Sequence, residues 1–94
     1  MSLAAVDSAD GTAHWGQQVG FNVTTTAAYN DVTVMCYQGG NWVYGSSKAA
    51  GSTFVLQSSA WTGGAADCTA GLWESTSSGG YVQTLATTSF HVNS

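Results

Sequence analysis

The chain has 94 residues, and its one basic residue, Lys48, stands against five acids for a formal net charge of −4. An average soluble domain is about one quarter charged, whereas this one is 6% charged and 44% hydrophobic, enough apolar residues for a single core. With one cation it cannot neutralise several phosphates or hold an anionic bilayer, which excludes ordinary nucleic-acid binding and electrostatic membrane docking.

Taken in chain order, residues 1–15 read as an N-terminal edge strand or docking arm, with Leu3 to Val6 the candidate strand, and residues 16–94 as one β-domain. Met1 to Asp7 lacks the basic and long apolar regions of a signal peptide, and no apolar run reaches the roughly 20 residues needed to span a bilayer. Val19 to Thr25 alternates with period two and places Val19, Phe21 and Val23 on one face. Val32 to Tyr37 does the same with Val32, Val34 and Cys36. Gly39-Gly40 then joins it to the aromatic run Asn41 to Tyr44, a hairpin signal because tight turns need φ > 0. Thr53 to Gln57 predicts a strand, Ser58 to Ala66 a corner, and Ala66 to Glu74 a strand with Cys68, Ala70 and Leu72 inward. Ser75 to Gly80 predicts a second hairpin. The last strand falls within Tyr81 to Val92, with Phe90 and Val92 inward.

No segment repeats apolar residues at helical spacing behind a cap. About seven short strands punctuated by glycine fit one all-β domain, an immunoglobulin-like two-sheet sandwich, because strands this short bury their apolar faces only by stacking in two layers. The strings Val34-Met35-Cys36-Tyr37-Gln38-Gly39-Gly40, Ala60 to Ala70 and Leu85 to Val92 are similar to small immunoglobulin-like domains of actinobacteria and their tailed phages. The similarity covers roughly residues 16 to 92, and its middle string is the most specific part. The resemblance implies a non-enzymatic decoration or minor capsid protein on a virion surface, with a capsid or tail protein of the same particle as partner; host-surface glycans, met by exposed aromatics, and further copies of the chain, met at the strand edges, are the additional partners the residues themselves suggest. Two departures separate it from antibody domains: Ala66 stands where the corner Tyr belongs, and Trp42 follows the first cysteine too closely to be their core Trp.

Cys36 and Cys68 each lie on the apolar face of a predicted strand, and those strands are expected to be neighbours in one sheet. Two readings stand: a disulfide, which would remove loop-closure entropy from the unfolded chain, or two buried thiols acting as small hydrophobes. His14 and His91 share no ligand spacing with the cysteines, and no motif supports a Ser-His-Asp triad, so neither a catalytic residue, a metal site nor a cofactor is expected. Asn22-Val23-Thr24 is a sequon that matters only in a eukaryotic secretory setting.

Aromatics carry the functional signal. Tyr37, Trp42, Trp61 and Trp73 are candidate partner contacts, and alternation puts Tyr37 and Trp73 on the outer face, close enough to form one shelf. Such a shelf suits a protein interface or a sugar ring. The competing reading places one Trp in the core and the others over turns and edges. A secreted carbohydrate-binding or adhesion module is the alternative function. With no proline and one lysine, the strand edges are expected to lack guards and to be covered in an assembly.

Overall fold

The computed structural model describes residues 2–5 and 12–94. Residues 6–11, within the segment read as a strand or docking arm, lie outside the described residues. Alternation dictates the longest elements. In β4 (Asn30–Gln38), Val32, Val34 and Cys36 are at most 1% exposed, while the residues between them face the other way. In β7 (Ala66–Ser75) the inward set is Ala66, Cys68, Ala70 and Leu72. The remaining strands are β1 (Ser2–Ala5), β2 (Ala13–His14), β3 (Gln18–Asn22), β5 (Asn41–Ala49), β6 (Phe54–Val55) and β8 (Tyr81–Asn93). No described residue is helical.

The described residues are all-β and form two sheets. One has the order β1-β3-β6, and the other β2-β8-β7-β4-β5. All pairings are antiparallel except β2 with β8. Their inner faces meet over one core, in which Phe21 of β3 packs edge-on against Phe54 of β6 at 5.9 Å and against Phe90 of β8 at the same distance. Of the segment 1–15, Ser2–Ala5 pairs with β3 at the edge of the smaller sheet, and Ala13–His14 lies beside the end of β8. The strand expected over Thr53 to Gln57 shrinks to Phe54–Val55. Gly16, at φ 84°, turns the opposing chain out of the ladder, and only the bonds of Leu56 to Gly16 and Gln17 continue it.

Gln38 pairs with Asn41, so Gly39 and Gly40 form a two-residue turn with φ of 57° and 86°. Both positive angles match the turn whose twist suits a hairpin. A Cβ on Gly40 would meet nothing within 4 Å, so the cost of a side chain there is purely conformational. Gly40→Val is expected to lower stability by about 1 to 2 kcal/mol, read as a shifted urea midpoint with an unchanged slope.

Cys36 and Cys68 are directly opposite one another on β4 and β7 and form a disulfide. Their Cα atoms are 4.1 Å apart, the close kind of antiparallel pair. The bridge therefore staples neighbouring strands of one sheet.

Edge protection runs against the expectation from composition. On the exposed edge strand β5, Ser58 Oγ donates to the Val43 carbonyl at 2.6 Å, covering one edge acceptor. Lys48 lies inward over the Phe54 ring, 5.4 Å from its centroid, and donates to the Thr53 carbonyl. A register shift between Cys36 and Tyr37 interrupts the same pairing. A charge over the inner face and a bulge are two of the devices that discourage edge-to-edge association, and neither is visible in a count of lysines and prolines.

Tyr44 of β5 is 7% exposed. Burial raises its hydroxyl above the ordinary 10.0, with a smaller opposing effect from a hydrogen bond to Ser46. The unfolded chain therefore loses this proton first. Its contribution to stability is complete below pH 10 and disappears as pH rises through the higher folded value. A Tm profile on the alkaline side should fall more steeply for the native chain than for Tyr44→Phe.

Candidate binding face

Half of the residues of β4, β7 and β8 point away from the core, and the register arranges them with β5 in four rungs across the large sheet. The first is Ala49, Asp31, Trp73 and Thr84; the second is Ser47, Thr33, Gly71 and Thr87. The third is Gly45, Met35, Thr69 and Ser89, and the fourth is Trp42, Tyr37, Asp67 and His91. Within these rungs the only carboxylates are Asp31 and Asp67, one at each end. Serine, threonine and aromatic side chains make up most of the rest.

At the first rungs the face sinks into a shallow groove of about 400 Å³ whose walls include Trp73, Tyr81, Thr33 and Thr87. Gly71 accounts for its depth, since a Cβ there would meet nothing within 4 Å. The Trp73 indole donates to Thr33 Oγ1 at 2.9 Å, which fixes its ring, and Thr33 in turn shares a hydrogen bond with Ser47. The Tyr81 ring lies 5.9 Å from Trp73, tilted by 41°, and its hydroxyl bonds Thr84 Oγ1.

Two irregularities of β8 create that aromatic pair. The β7–β8 register shifts once between Leu72 and Trp73 and again between Glu74 and Ser75. Each shift leaves one β8 residue without a Cα partner, namely Leu85 and Val82, and both are exposed. Without them Gln83 would stand opposite Ser75; with them Tyr81 does, on the same face as Trp73. Bulges commonly re-aim side chains in this way.

At the opposite end, Tyr37, His91 and Asp67 surround a second shallow hollow. His91 Nδ1 lies 2.9 Å from Asp67 Oδ1, with both side chains more than half exposed. His14 is remote in sequence and hydrogen-bonds Thr12.

Trp42 is 52% exposed and Tyr37 38% exposed, whereas Trp73 is partly buried in the groove wall. Gly45 makes room for Trp42 to lie on the sheet, for a Cβ there would stand 3.0 Å from both the indole and Met35 Sδ. Two expectations are corrected. Trp61, expected among the partner contacts, is 0% exposed and is the largest fully buried side chain. It belongs to the corner between β6 and β7, where no alternation reports its direction. Tyr37 and Trp73 share the outer face, but they do not form one shelf: Tyr37 is opposite Asp67 and Trp73 opposite Asp31. Six strand positions, about 20 Å, separate them. Trp73 meets Tyr81 instead, a contact invisible without the two register shifts.

Comparison with protein-family models, with curated proteins and with solved structures finds no match.

Proposed function

We propose that this chain is a non-enzymatic, immunoglobulin-like domain of a virion surface, a decoration or minor capsid protein held on a capsid or tail protein. In this reading the outer face of the five-stranded sheet is its recognition surface. That face is the observation that carries the reading: four rungs of aromatic, threonine and serine side chains with a carboxylate only at either end. Recognition on such a surface proceeds by burial of apolar area and neutral hydrogen bonds, with little electrostatic steering.

Strand order supports the immunoglobulin-like part of the reading. With β1, β3 and β6 taken as A, B and E, the other sheet reads A′, G, F, C and C′, the arrangement of variable-type domains. The bridge differs from theirs, joining C to F within one sheet where antibody domains join B to F between sheets. A fully buried Trp still fills the core, supplied by the β6–β7 corner and not by strand C.

The test is biochemical. Particles purified by density gradient from lysates of cells carrying the encoding genome should contain the chain at a constant copy number, measured by quantitative mass spectrometry. Finding it only in the soluble fraction overturns the reading.

A further inference from the structure

We infer that the Trp73–Tyr81 groove binds a neutral pyranose ring of a glycan, the ring's apolar face resting on the aromatics and its hydroxyls meeting the threonines. This deepens the recognition-surface reading and rests on it. Four observations converge on the ligand class. First, two aromatic rings 5.9 Å apart and tilted by 41° form an angled wall, against which the C–H face of a sugar can pack. Second, the Trp73 indole N–H is already engaged by Thr33, so the ring is held in place before any ligand arrives and little side-chain freedom is lost on binding. Third, Thr69 and Thr87 line the groove with hydroxyls able both to donate and to accept, as sugar hydroxyls require, while those of Thr33 and Thr84 are partly taken up by Trp73, Ser47 and Tyr81. Fourth, no charged side chain among the described residues lines the groove. An anionic or cationic ligand would be desolvated there without a counter-charge, whereas a neutral polyol would not.

Gly71 provides the decisive variant. Its φ is not among the positive ones, it stands in the middle of a strand, and nothing occupies the space over it. Gly71→Val therefore suits a strand and fills the groove without disturbing the core. Tyr81→Ala removes the other wall at a residue that is 64% exposed. Val55→Ser, on the opposite sheet, serves as the control.

The experiment follows intrinsic tryptophan fluorescence while cellohexaose, chitohexaose or maltohexaose is added to each purified protein. Saturable quenching is expected with at least one of the three. It should weaken about tenfold or more in Gly71→Val and Tyr81→Ala, corresponding to roughly 1.4 kcal/mol, and persist in Val55→Ser. Absence of saturation with all three sugars at about 10 mM, a Kd range too weak for a built site, overturns the inference. So does an affinity within twofold of the native value in both groove variants. The two readings fail separately: a chain present on particles but silent towards sugars loses only the groove assignment. A chain that binds sugars through the groove but is missing from particles loses only the virion assignment.

Discussion

Trp61→Ala is expected to lower stability by about 3 to 5 kcal/mol, the cost of emptying an aromatic core site. For a domain of this length, with a total of roughly 5 to 14 kcal/mol, that leaves little in reserve. The effect is large because Trp61 organises several things at once. Its ring is 0% exposed and meets Tyr44 edge-on at 6.1 Å, and its indole donates to the Gly64 carbonyl at 3.0 Å. Its carbonyl accepts the Trp15 indole N–H at 2.9 Å, and its own backbone N–H reaches Ser58. Ser58 in turn caps the exposed edge of β5. Loss of the indole should therefore loosen the corner and uncover that edge, so a raised tendency to aggregate on heating should accompany the lower midpoint. Trp61→Phe retains much of the burial but orphans the Gly64 carbonyl, for a smaller loss of about 1 to 2 kcal/mol. Urea unfolding of the three proteins tests the order, and an alanine variant within about 1 kcal/mol of the native chain would show that the cavity collapses.

The second large effect concerns the disulfide. Replacing Cys36 and Cys68 together with alanine should lower stability by about 3 to 4 kcal/mol on chain-entropy grounds, given a separation of 32 positions. For a domain of this size that corresponds to a fall in Tm of at least about 12 °C. The two sites are at most 2% exposed, so the small cavities left behind add to the loss. The two contributions are separable: adding a reductant to the native chain removes the bond and leaves both sulfurs in the core. The reduced protein should therefore sit between the native and doubly substituted forms, while reductant leaves the variant unchanged. A native Tm insensitive to reductant under conditions that free both thiols would contradict the bridge as a source of stability.

Much of the β-structure could be read directly. In β4 and β7 one face meets the core and the other water, so polarity alternates with the pleat and each residue reports its own direction. The Gly39-Gly40 turn was legible for a related reason, because its signal is a backbone angle that glycine adopts without a steric penalty. Trp61 was not legible. It lies in a corner with no period, where an aromatic residue reads equally well as a surface contact or a core plug. The separation of Tyr37 from Trp73 is an instructive intermediate. Once Cys36 is placed directly opposite Cys68 on antiparallel strands, counting outward pairs Tyr37 with Asp67 and Asp31 with Trp73. Alternation gives no means of choosing that register over its neighbours.

From the residues alone followed the all-β class, the inward sets of the long strands, the two hairpins and the scarcity of charge, because each depends on properties carried within a few neighbouring positions. The tertiary structure alone decided that Trp61 fills the core, that Lys48 lies over Phe54 and Ser58 bonds the Val43 carbonyl of an edge strand, and that two bulges bring Tyr81 against Trp73 over the space left by Gly71. Those outcomes depend on which strands pair and in what register, and the contacts that choose a register lie far apart along the chain.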